Sequence, residues 1–185
     1  MAGSLIKIDE FTVSSAVANV IIGGGSSGSS SLNASIDSTY DVYQIVANNL
    51  RPATAAQLEV RLTKSGSAQS DSEYDWGYKN MYTGGSYVNE NSTNQDSFFL
   101  YSAYEETTAT GKGNGIVLYL FNFPNSSEYS YFTVEQSRLF STGTLGGNQG
   151  GCVHTVASAS DGVQFLWDGG HNFEDGTFQL FGLKK

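Results

Sequence analysis

The chain has 185 residues with a formal net charge of −9; only 15% of them are charged, whereas 13% are aromatic. Its length suits one domain that can bury roughly 70% of its unfolded surface, so a core needs neither a disulfide nor a structural metal. The acidic balance argues against a nucleic-acid partner held through phosphates, and the longest apolar runs are strand length, far short of the ~20 residues of a membrane helix.

Cys152 is the single cysteine, so no intramolecular disulfide forms, which fits folding in a reducing cytoplasm. Lys7, Asp9 and Glu10 interrupt the start, and no signal-peptide apolar run is read there. With 22 glycines, 2 prolines and many Tyr, Phe, Thr and Ser, the composition predicts an all-β chain.

Alternation predicts strands over 5–13 and 18–22. Residues 23–31, Gly-Gly-Gly-Ser-Ser-Gly-Ser-Ser-Ser, have linker composition. They divide the chain into an N-terminal arm with its linker or loop, 1–31, and a main body, 32–185. Strands follow over 40–49, ended by Arg51-Pro52, and over 58–63, where Leu58, Val60 and Leu62 alternate with Glu59, Arg61 and Thr63. Residues 74–82 place Tyr74, Trp76, Tyr78 and Tyr82 at even spacing, an aromatic stripe on one face. A long polar loop is expected over 84–96 and a strand over 97–104.

The central expectation concerns 115–123. Ile116, Leu118 and Leu120 would point to one side, and Val117, Tyr119, Phe121 and Phe123 to the other. Both sides are apolar, so this strand asks for cover on both. One cover is the domain's own core; the other is a second sheet, a neighbouring subunit or a ligand. A strand over 130–140, a Gly-rich loop over 143–151, a hairpin of 152–159 with 163–167 turning at Asp161-Gly162, and a closing strand over 177–183 led by the turn Asp175-Gly176 complete the reading. About ten to eleven short strands and no helix predict a single jelly-roll-like β-sandwich with an N-terminal arm.

Chemistry-bearing residues are few. Cys152 and His154 would share a strand face at about 7 Å, too far for a nucleophile pair without a bulge, and they read as packed structural residues. Asp71, Glu73 and Asp75 alternate in the order Asp-x-Glu-x-Asp, the reverse of the Glu-x-Asp-x-Glu of jelly-roll glycosidases, and a calcium loop would need a Glu where Tyr82 stands. The glycines of 143–151 lack the Lys-Ser/Thr ending of a phosphate loop. No catalytic residue, cofactor or metal is expected. Tyr74, Trp76 and Tyr78 are candidates for stacking on a glycan, with core or interface packing as the competing reading.

Four phrases, taken in order, resemble virion structural proteins of tailed bacteriophages, above all marine and cyanobacterial ones. They are Ile36-Asp-Ser-Thr-Tyr-Asp-Val-Tyr-Gln-Ile-Val46, Tyr119-Leu-Phe-Asn-Phe-Pro-Asn-Ser-Ser-Glu-Tyr129, Asp161-Gly-Val-Gln-Phe165 and Gly176-Thr-Phe-Gln-Leu-Phe-Gly-Leu-Lys184. The resemblance implies a non-enzymatic, β-rich head-decoration or cement protein, commonly a homotrimer, made in the host cytoplasm and carried in the virion. Its partners would be copies of itself and the major capsid protein or a tail protein. A tail or fibre component binding host-surface glycan is the alternative within the virion, and a secreted carbohydrate-binding module the alternative outside it. Val117, Tyr119, Phe121 and Phe123 are the expected subunit contacts. Ile6, Ile8 and Phe11 of the arm are the expected contacts to a neighbouring protein by strand addition.

Overall fold

The structure is a computed structural model that describes residues 4–24, 34, 36–100, 108–140 and 142–184. The strands, in chain order, are β1 (Ser4–Thr12), β2 (Asn19–Gly23), β3 (Val42–Pro52), β4 (Leu58–Lys64), β5 (Ser67–Ala68), β6 (Tyr74–Tyr82) and β7 (Tyr87–Gln95). Then come β8 (Phe98–Phe99), β9 (Asn114–Phe121), β10 (Ser130–Leu139), β11 (Leu145–His154), β12 (Gly162–Trp167) and β13 (Phe173–Lys184). The only helical turn among the described residues is 3-10, Asp168–Gly170.

Two sheets pack face to face as an all-β sandwich. The larger has eight strands in the order β1-β13-β3-β9-β10-β11-β6-β7, and the smaller runs β2-β12-β4-β5, with β8 also paired to β4. All named pairings are antiparallel. The sandwich expectation is met; this order of eight and five strands does not by itself spell out jelly-roll connectivity.

Alternation sets the core. Ile116, Leu118 and Leu120 of β9 turn inward, as do Leu58, Val60 and Leu62 of β4, and all are at most 1% exposed. At one end Trp167, Phe173, Phe178 and Phe165 interlock, with ring centroids 5.1–5.8 Å apart. At the other end Phe98 packs edge-on against Phe132 at 5.1 Å and Tyr78 at 5.8 Å. The Tyr74 hydroxyl crosses between the sheets: it donates to the Gln69 carbonyl at 2.9 Å and accepts from the Leu62 amide at 3.0 Å. A buried tyrosine needs such partners, and here they tie β6 to β4.

Several expectations are corrected. The N-terminal segment is no separate arm. β1 pairs with β13 along the edge of the large sheet, β2 pairs with β12 in the small one, and Val13, Val20 and Ile22 are buried. The linker residues 25–31 lie outside the described residues, as does the second half, 101–104, of the strand expected over 97–104; in the first half Phe98–Phe99 form β8. Residues 87–95, read as a loop, form edge strand β7; all its residues are at least partly exposed, so no apolar alternation announces it. The Gly-rich run over 143–151 is mostly strand β11, paired on both sides from Gly146 to His154.

The hairpin across Asp161-Gly162 does not form. The chain instead crosses from β11 in the large sheet to β12 in the small one. Asp161 is held at that crossing: its carboxylate accepts from the Thr63 hydroxyl at 2.7 Å and the Gly66 amide at 3.0 Å, and its carbonyl accepts from the Gly24 amide at 2.6 Å. Those bonds fix the β4–β5 turn and the end of β2, so this aspartate stitches three segments together. Arg51-Pro52 do not end β3 early; Arg51 bridges to Asp175 of β13 through Nε at 2.9 Å and through a second, shorter contact. Asp175-Gly176 accordingly lie inside β13, at its register shifts, and lead no turn.

Candidate functional site: the outer face of the large sheet

The inward residues of the large sheet are covered by the smaller one. Among the described residues nothing covers the outward ones, and they form rows that cross the strands in register. One row runs through Val42, Phe121, Tyr131, Val153 and Asp75 of β3, β9, β10, β11 and β6. On the side toward β1 it continues into the Leu5–Leu183 pair. The next row runs Lys7, Phe181, Gln44, Tyr119, Thr133, Gly151, Gly77 and Asn91, and the third runs Glu10, Gln179, Val46, Val117, Glu135, Gln149, Lys79 and Asn89.

The face therefore divides. Over β13, β3, β9 and β10 it is apolar: Tyr119 is 39% exposed, Tyr131 43% and Leu183 43%, with Val42, Val46, Val117, Phe121 and Phe181 half-buried among them. Over β11, β6 and β7 it is polar and floored by glycine. Scattered apolar residues on a surface need no explanation, but a contiguous patch on a sheet face marks contact with another body.

Of the expected subunit contacts, Val117, Tyr119 and Phe121 lie on this open face. Phe123 does not. Asn122 takes a left-handed φ of 61°, which breaks the alternation and turns Phe123 into the core at 1% exposure. Ile8 and Phe11 pack against the molecule's own core, Phe11 opposite Phe178, and Ile6 stays 37% exposed at the sheet edge. Over these residues β1 pairs with β13 of the same chain along one side, as the edge strand of the large sheet.

The expected glycan stripe faces the wrong way. Tyr74 and Tyr78 are buried, and Trp76 stacks on Tyr78 at 5.3 Å with its other neighbour Phe98 edge-on at 6.1 Å. The rings of Tyr74 and Tyr78 are core surfaces, and that of Trp76 is partly buried and packed against the core. Tyr131, Val153, Phe181 and Leu183 are what sequence reading missed. Their signal was present as alternation in β10 and β13, yet only the register across six strands turns separate residues into a surface.

Cys152 and His154 both point inward. The Cys152 thiol lies 3.7 Å from the Val153 carbonyl, and burial pushes it well above the usual cysteine value, with Asp75 adding to the effect. A protonated, covered thiol is a poor nucleophile. The His154 ring is 2% exposed, 5.0 Å from the Tyr74 ring and 3.1 Å from a Glu73 carboxylate oxygen. Burial holds it below the usual histidine value against the opposite pull of Glu73. Asp75 accepts the Asn94 amide at 2.8 Å, and Asp71 stays in the turn before β6. Among the described residues no group of three His, Cys, Asp or Glu is placed to hold a metal.

No family model matches the chain, and no curated protein matches it. What the chain does is therefore argued from its own surfaces, and the outer face of the large sheet is the surface that asks for a partner.

Proposed function

We propose that this protein is a non-enzymatic structural component of a tailed-bacteriophage virion, a head-decoration or cement protein that works as an oligomer. The observation that carries the reading is the apolar half of the open sheet face. Val117, Tyr119 and Phe121 of β9 stand there beside Val42, Val46 and Phe181, all at least partly exposed. An interface of permanent subunits resembles a core cut in half, and this face has that character. Closed symmetry is usual for homo-oligomers, and a trimer is the form proposed. The four sequence phrases that resemble phage virion proteins supply the setting, with the major capsid protein as the second partner. Burial of Cys152 and His154 fits a protein without catalytic chemistry.

Two measurements test the proposal together. Sedimentation of the purified protein should give a mass near three chains, and quantitative mass spectrometry of purified particles should count hundreds of copies. A handful of copies would move the protein to the tail. Absence from particles, with a monomer that persists at high concentration, would overturn the proposal.

A further inference from the structure

The polar half of the same face carries a glycine, Gly77, that the fold does not require. On β11, Gly146 and Gly150 point inward, and a Cβ there would sit 2.6 Å from the Phe140 ring and 2.2 Å from Cβ of Tyr78. Packing dictates those two. Gly77 and Gly151 point outward and face each other across β6 and β11. A Cβ on Gly77 would meet nothing closer than Cβ of Asn91 at 3.7 Å, an ordinary contact, whereas one on Gly151 would press on the Phe132 carbonyl oxygen at 3.3 Å, so Gly77 is the one of the pair that packing leaves free. Neither has a positive φ. Glycine weakens a strand, and where neither packing nor φ calls for it, it marks the close approach of another body.

With Thr133 and Asn91 in the same row, these glycines floor a trough that crosses β10, β11, β6 and β7 for about 14 Å. The cavity measures about 480 Å³. Tyr131, Val153 and Asp75 line one side of it, and Asn91, Ser92 and Thr93 of β7 line one end; Glu135, Gln149 and Lys79 stand in the next row, where the Gln149 amide donates to Glu135 at 3.3 Å and the Lys79 ammonium lies over the Tyr87 ring. Its chemistry is thus one exposed aromatic ring over a flat, largely apolar floor, with the hydroxyls of Ser92, Thr93 and Thr133, the Asn91 amide and the Asp75 carboxylate at the margins.

That chemistry selects the occupant. An extended peptide lying across these strands would find no backbone partner, because β10, β11 and β6 are already paired on both sides, and its amides and carbonyls would go unmatched. A polyanion would meet Asp75 and Glu135 on a chain of net charge −9. A sugar ring has an apolar face for Tyr131 and hydroxyls that both donate and accept, which suits a margin of mixed donors and acceptors. We propose that the trough over Thr133, Gly151, Gly77 and Asn91 is a binding site for a neutral oligosaccharide. This goes beyond the assembly role: it uses the polar half of the face together with Tyr131 and Thr133 of β10, the strand at the border between the two halves.

The test titrates the full chain with neutral hexasaccharides of α- and β-linked glucose, mannose, galactose and N-acetylglucosamine, followed by calorimetry. At least one should bind saturably, one per chain. Gly77→Val, which fills the floor, and Tyr131→Ala, which removes the ring, should each weaken it at least tenfold. Valine suits a strand better than glycine, so Gly77→Val should melt no lower than the parent, which separates lost binding from lost fold. No binding by any hexasaccharide at millimolar concentration, or undiminished binding by Gly77→Val, overturns the site. Sedimentation of the same samples keeps the two proposals apart. A Gly77→Val chain that loses its oligomeric mass, with no saccharide bound by the parent, would assign the trough to a second copy and overturn the saccharide.

Discussion

A methyl group on Gly150 would collide with Cβ and the backbone of Tyr78, whereas one on Gly77 would meet only ordinary contacts. Gly150→Ala should therefore lower the stability measured in urea by roughly 1–3 kcal/mol, while Gly77→Ala should raise it by about 0.4–1 kcal/mol. The two residues belong to paired neighbouring strands, and only the face they point to differs. His154 makes a second residue-scale prediction. Its imidazole is held below its ordinary value by burial, against the pull of Glu73; Lys64 also pushes it down. The unfolded chain then takes up a proton that the folded chain refuses. Stability should fall as pH drops below the ordinary histidine value and level off below the folded one. His154→Gln should flatten that part of a urea-midpoint profile between neutral and mildly acidic pH; an equal slope in the variant would remove His154 as the cause. Cys152 should stay unreactive toward iodoacetamide until the chain is denatured, and Cys152→Ala should cost roughly 1 kcal/mol.

β1 and β2 show how an element can be read correctly as a strand and placed wrongly. Their alternation was legible, but nothing local tells a strand that docks on its own chain from one that reaches a neighbour. The partners of β1 and β2 lie in β13 and β12, near the other end of the sequence. Because Val20 and Ile22 are fully buried, Ile22→Ala should cost about 2–5 kcal/mol in thermal or urea unfolding, and removing residues 1–22 should leave a chain that aggregates. A truncated chain with an unchanged β signature would restore the free arm. β6, β9 and β10 were legible within a residue or two at most ends because each has at least one apolar face. β7 was not, since an edge strand of Tyr-Val-Asn-Glu-Asn-Ser-Thr-Asn-Gln has no buried side to impose a period. Most of β11 was read as a loop because glycine is a turn signal by default; the ring of nearby Phe140 and, far off in sequence, Cβ and backbone of Tyr78 are what make inward glycine fit a strand there. The candidate site was half legible for a related reason: β9 announced its second apolar face, while the trough exists only once four strands are in register.

At the scale of the whole molecule, the apolar half-face predicts self-association. Tyr119→Asp or Phe121→Asp places a charge on a face with no contact to the core, so the fold should hold and the sedimenting mass should fall toward that of one chain. Unchanged mass in both variants would move the interface elsewhere. The pairing of β1 with β13 has a separate consequence, for time. Ser4 pairs with Lys184, and β3, third in the large sheet, lies between β13 and β9. On a ribosome, the first strand waits for the last: β1 has no neighbour, and β3 lacks one of its two, until β13 has emerged. A fold built from such distant pairings closes slowly, on the millisecond-to-second scale or beyond, because the chain must lose loop entropy before those contacts reward it. During that interval the alternating apolar residues of β3 and β9 are bare, and a host making the protein in quantity would be expected to lean on its chaperones.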